Sequence, residues 1–141
     1  MTIAQHHIFW PMALQIILTI FMFFLLAARK AKAVKAGEID RSKTALDNKA
    51  WNENVVKVSN NIDNQFQTPV LFYALCITLY LVNSVSMVTL ILAWGYAISR
   101  CVHAYIHVGS NHIPHRLPIF LVGCVMLILM LFSLLIGLAS I

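Results

Sequence analysis

Two stretches of this sequence hold residues whose types and spacing suit chemistry. The first reads Asn60-Asn61-Ile62-Asp63-Asn64-Gln65-Phe66-Gln67-Thr68-Pro69. Asn60, Asp63, Asn64 and Gln67 recur at i, i+3, i+4 and i+7 and would share one face of a helix. A solvated helix end is the plainer reading of such a face. Against it, the face runs directly into Pro69 and the apolar Val70-Leu71-Phe72-Tyr73. A carboxylate beside such a segment is costly unless it meets a cation or a ligand. Pro69 also leaves a carbonyl one turn back without its usual donor, and can kink the helix there. The second stretch runs from Arg100 to Arg116, with Arg100, His103 and His107 at i, i+3 and i+7. His103, His107, His112 and His115 could hold a transition metal. The stretch lacks an HExxH-type base, however, and Cys101 falls on a different face. Anchoring at lipid headgroups is another reading. An anion pocket for a small carboxylate or thiolate suits the two arginines best, because a guanidinium is a permanent, planar, multidentate donor.

The elements that must carry these residues follow from composition. Of 141 residues, 60% are hydrophobic and 11% charged, against about 45–50% and about 25% in soluble domains. A water-soluble enzyme, a disordered tail and a collagenous fibre are thereby excluded, and one domain spanning residues 1–141 is expected. Ile8 to Ala28 holds no charge over 21 residues, about 31 Å of helix against a hydrocarbon core of about 30 Å. A signal peptide would want a basic start and a cleavage site. This run instead begins without Lys or Arg and ends at Arg29-Lys30-Ala31-Lys32. Asn64 to Ser99 is uncharged for 36 residues, the length of two spans joined at the polar Asn83-Ser84-Val85-Ser86. Leu117 to Ile141 is the last uncharged block. The reading is an all-α integral membrane protein with four up-and-down helices at about 8–36, 51–82, 86–110 and 115–139.

All ten basic residues lie between Arg29 and Lys57 or between Arg100 and Arg116. The positive-inside rule then predicts both basic connections in the cytoplasm and both termini outside. The net charge of +5 is thus expected to serve topology, not nucleic acid. It also puts the acid-bearing and cationic faces on one side of the membrane, where they can enclose a polar cavity. Cys76, Cys101 and Cys124 are odd in number and lack metal spacing, so free buried thiols are expected.

The two polar stretches together resemble the MAPEG family, the membrane-associated proteins of eicosanoid and glutathione metabolism. Asn60-Asn61-Ile62-Asp63-Asn64 followed by Pro69 is similar to the family's Asn-x-x-Glu-Asn signature before a proline, with Asp for Glu and the proline two residues further along. Arg100, His103, Gly109, Pro114 and Arg116 match the helix-three pattern of members related to prostaglandin E synthase without a gap. His107 stands where that pattern has Tyr, Leu117 where it has Ser, and Phe120 in place of a ring hydroxyl. The resemblance covers the whole chain in length and span count, and these two local motifs carry it.

It implies a left-handed four-helix bundle forming homotrimers, with glutathione as co-substrate between neighbouring subunits near the cytoplasmic face. Arg29 would meet the tripeptide's carboxylate, and Asn60 and Asp63 would orient it. Arg100, His103 and His107 would line the pocket. Arg116 would lower the thiol pKa, since the thiolate is the nucleophile. The implied activity is a glutathione-dependent transferase or peroxidase acting on lipophilic electrophiles or lipid hydroperoxides from the bilayer, with no metal. The alternative is a non-catalytic lipid- or thiol-binding protein on the same scaffold. A transporter or channel would place charge deeper in the spans than is found here. With no eukaryotic retention signal at Ala139-Ser140-Ile141, a bacterial inner membrane is the expected location.

Overall fold

A computed structural model of the chain describes residues 4–37 and 39–140. The first helix, α1, spans Phe9–Ala36 after a 3-10 turn at Gln5–Ile8. It stops at Gly37, whose φ of 69° is in the left-handed region, where a glycine carries no Cβ penalty. The basic connection holds a single turn, α2 (Arg41–Thr44), and a 3-10 turn at Asn48–Ala50. Asp40 and Asp47 cap these by accepting from the Ser42 and Lys49 amides. Asn52 caps α3 (Glu53–Gln65) by accepting from the Val55 amide.

The helix expected over about 51–82 is divided: α3 ends at Gln65 and α4 spans Thr68–Leu81. Proline has no N–H to offer the Gln65 carbonyl, and the chain uses Pro69 as the second residue of a new helix rather than as a kink. The expected turn at Asn83–Ser86 is present, with Asn83 at a φ of 52°. Ser86 and Thr89 form a reciprocal capping box at the start of α5 (Met87–Val108). A short connection containing Asn111 at a φ of 54° leads to α6 (Ile113–Ala139), with Pro114 in its first turn.

Among the described residues, three helical stretches are long and apolar enough to cross a membrane: Gln5–Ala36, Met87–Val108 and Ile113–Ala139. At 14 residues, α4 reaches about 21 Å and does not span a core of about 30 Å by itself. Many large apolar side chains, among them Phe24, Leu81, Val88 and Ile136, are exposed on the chain's outside, as a lipid-facing surface requires. Inside, Phe72 stacks on Tyr96 at 4.4 Å between ring centres, within a core that also holds Cys76, Leu79, Leu127 and Met130. A second core of Met22, Val58, Ile62 and Ala104 lies nearer the basic connections. The three cysteines are free; Cys76 is buried, while Cys101 and Cys124 are half-buried.

Helices α5 and α6 approach closely because small residues meet there. A Cβ at Gly123 would lie 3.0 Å from the Ser99 hydroxyl oxygen and 3.6 Å from the Tyr96 ring. The Tyr96 hydroxyl in turn donates to Thr68 Oγ1 at 3.1 Å, tying α5 to the start of α4. At the opposite end, Gln5 both donates to and accepts from the backbone of Val85. The turn between α4 and α5 is thereby fastened to the chain's N-terminal turn.

Candidate functional site

The division between α3 and α4 has a direct consequence for Arg100. With α3 ended, the carbonyl of Asn64 is open to an outside donor, and Arg100 Nη2 fills the role at 3.1 Å. Arg100 is 1% exposed, and among the described residues its Nε and Nη1 have no hydrogen-bond partner. An ionised group so placed is costly without acceptors. One turn on, His103 is 3% exposed and its Nδ1 is likewise unpartnered among the described residues.

Asn64 and His103 line one wall of a pocket of about 200 Å³, and Ile113, Arg116, Leu117 and Phe120 complete it. Among the described residues no carboxylate lines this pocket. Arg116 sits in the first turn of α6 and donates from Nη1 to Asn111 Oδ1. That turn contains no acidic residue, so the guanidinium adds to the positive end of the helix dipole instead of being neutralised beside it. The arrangement favours an anion on two counts.

The structure thus brings Arg100, His103 and Arg116 together around Asn64. It treats the other expected residues differently. Arg29 donates to the carbonyls of Asn54 at 2.7 Å and Val108 at 3.0 Å. It clasps the C-terminal end of α5 against the start of α3, where a cation is favoured by the unpaired carbonyls. Lys57 adds a bond to the Gly109 carbonyl at 3.3 Å while pairing with Glu53 at 2.7 Å. Arg29 also borders a separate polar pocket of about 380 Å³ with Lys32, Asn52 and Asn54. Asn60 and Asp63 are exposed on the outside of the single chain. His107 is buried, and its ring stands 5.6 Å from that of His103 in a T-shaped contact.

The polar face of α3 that turns inward is Asn61 and Gln65, which sequence spacing did not single out. Gln15 Nε2 donates to Gln65 Oε1 at 2.7 Å, Gln65 Nε2 to Asn61 Oδ1 at 3.0 Å, and Asn61 Nδ2 meets His107 Nδ1 at 3.4 Å. Gln15 carries a signal that could have found this chain. It is the one amide in the uncharged run Ile8–Ala28, and a lone amide inside an apolar span must find a partner. Away from these polar groups, α4 and α6 enclose an apolar groove of about 320 Å³ lined by Leu71, Leu75, Thr78, Leu127 and Leu131 among others.

Apolar helices of membrane length, with a cationic pocket where they meet their basic connections, define a helical membrane protein. Its family is more specific: residues 8–136 match the model of the MAPEG family, and the chain belongs to it. That family consists of membrane proteins and includes glutathione transferases and related proteins. No curated protein and no solved structure matches the chain.

Proposed function

We propose that the protein is a membrane-bound glutathione-dependent transferase or peroxidase acting on lipophilic electrophiles or lipid hydroperoxides. The observation that carries this reading is the pocket of Asn64, His103 and Arg116 backed by the incompletely paired guanidinium of Arg100. Two arginines without a neighbouring acid select an anion, and the family supplies its class: the thiolate and carboxylates of a tripeptide thiol. Arg116, next to the dipole of α6, stabilises the thiolate and so raises the fraction of nucleophile at neutral pH. In the transferase reaction the thiolate sulfur bonds to the electrophilic carbon, and the leaving group departs with the electron pair. In the peroxidase reaction the sulfur attacks the terminal peroxide oxygen and the lipid alcohol leaves. A second glutathione then reduces the resulting sulfenic acid, giving glutathione disulfide and water.

The exposed placement of Asn60 and Asp63, and the separation of Arg29 from this pocket, fit an assembly in which subunits complete one another's sites. We take that assembly to be a homotrimer, with a neighbour's α1 presenting Arg29 to ligand held by Asn60 and Asp63. The lipophilic substrate enters from the bilayer side, and glutathione from the basic, cytoplasmic side. A non-catalytic thiol- or lipid-binding protein is the second reading. It is favoured by the lining itself, where Leu117 and Phe120 present no hydroxyl to the ligand.

The deciding experiment assays purified protein in detergent with glutathione and either a generic electrophile or cumene hydroperoxide. Wild type is expected to turn over, and Arg116→Ala to fall to the uncatalysed rate. Equal rates for the two refute catalysis. Thermal stabilisation by glutathione without turnover would establish the second reading instead.

A further inference from the structure

We infer that Gln15, Gln65 and Asn61 form a one-directional amide chain that fixes the tautomer of His107 and, through it, the ring of His103 at the pocket. The chain starts on α1, crosses α3 and ends on α5, and all three amides are fully buried or nearly so. Each amide donates forward with its nitrogen, and Gln65 and Asn61 also accept from behind with their oxygens. Asn61 spends its oxygen on Gln65, so only its nitrogen remains for His107. An amide nitrogen donates and does not accept. His107 must therefore accept at Nδ1 and carry its proton on Nε2.

Turning all three amides over would give the opposite tautomer with the same number of bonds between residues. The two directions differ at the far end. As arranged, the unmatched atom is the carbonyl oxygen Gln15 Oε1, a buried acceptor without a partner among the described residues. Reversed, that oxygen would be matched, but both N–H bonds of the Gln15 nitrogen would lack acceptors, against one as arranged. An orphaned carbonyl is better tolerated than orphaned N–H groups, so the observed direction is favoured and the choice is transmitted to His107. The His107 ring stands edge-on to His103, and His103 is packed on its other side against Phe120 at 5.9 Å. These residues position the pocket; only His103 lines it.

The assignment of the tautomer stands without any reaction, whereas the use of the pocket that His103 lines rests on the transferase or peroxidase reading. The test is nitrogen-15 NMR of the full chain in detergent micelles with labelled histidine, the His107 signals being identified by their loss in His107→Gln. Wild type is expected to show an unprotonated Nδ1 and a protonated Nε2; a protonated Nδ1 overturns the inference. Asn61→Asp replaces the donor by an acceptor, and the proton is expected to move to Nδ1. Gln65→Glu acts one residue further away. Where infrared spectra show residue 65 as a carboxylate, it accepts from both neighbours, Asn61 turns over, and Nδ1 becomes protonated. Where they show the neutral acid, the wild-type tautomer is retained. A His107 tautomer indifferent to the state of residue 65 overturns the relay, even if Asn61→Asp fails to fold. Wild type with the expected tautomer but no turnover leaves the relay standing and refutes the enzymatic reading alone.

Discussion

Replacing Arg100 by methionine separates what the residue does for stability from what it does for binding. Among the described residues the guanidinium makes one hydrogen bond, to the Asn64 carbonyl, and leaves Nε and Nη1 buried without partners. A hydrogen bond to a charged group contributes about 1.5–3 kcal/mol, and each buried unmatched donor costs about 1–3 kcal/mol. Two unmatched donors outweigh one bond, so Arg100→Met is expected to stabilise the ligand-free protein by about 1–2 kcal/mol. Methionine fills much of the same volume and packs flexibly, which keeps any cavity cost small. In the ligand-bound state the order reverses. Glutathione at about a hundred times its Kd stabilises the wild type by about 2.7 kcal/mol, and the variant is expected to lose most of that gain. The assay is thermal unfolding in detergent with and without glutathione, with Tm expected a few degrees above wild type for the free variant. A variant that melts below wild type while keeping its response to glutathione refutes the reasoning, because Arg100 would then be a structural cation already paired in the assembly.

The geometry carries three further expected outcomes. Gly123→Ala places a Cβ 3.0 Å from the Ser99 oxygen, whose hydroxyl is already committed to the Tyr96 carbonyl at 2.7 Å. A cost of about 1–3 kcal/mol is expected, relieved in the double variant Gly123→Ala/Ser99→Ala as measured by a double-mutant cycle of unfolding. Arg29→Met removes both carbonyl bonds from the α5 clasp, so amide exchange at residues 108–112 is expected to accelerate about tenfold or more; unchanged exchange would show that the clasp contributes nothing. At Asp40, hydrogen bonds from the Ser42 side chain and amide hold the carboxyl below its ordinary value of 3.8. Because the folded value is the depressed one, the cap's contribution is present above the ordinary carboxylate range and lost as pH falls through the folded value. The Ser42 amide proton should report this titration by NMR, and Asp40→Asn should abolish it.

Much of the architecture was legible from charge placement alone. An uncharged run long enough to cross a membrane must satisfy its own backbone, and helix does this, so the runs are largely helical, with α1 and α5 continuing past Ala28 and Ser99 to Ala36 and Val108. Local chemistry marked the boundaries: Asn83 tolerates a left-handed backbone, Ser86 and Thr89 cap α5, and Pro114 suits a first turn. Arg100, His103 and Arg116 converge because a strict helical spacing and a short connection left few other arrangements. The tertiary structure decided the rest. On α3, Asn60, Asn61, Asp63, Asn64 and Gln65 put polar side chains on both sides of the helix, so periodicity had no contrast from which to pick the buried face. Packing against Gln15 and His107 chose Asn61 and Gln65 and left Asp63 outside. Arg29 was recognisable as the first cation after an uncharged run, but which carbonyls it would clasp depended on where α3 and α5 came to lie. A side chain's type and spacing bound what it can do; the neighbours that desolvate it select which of those things it does.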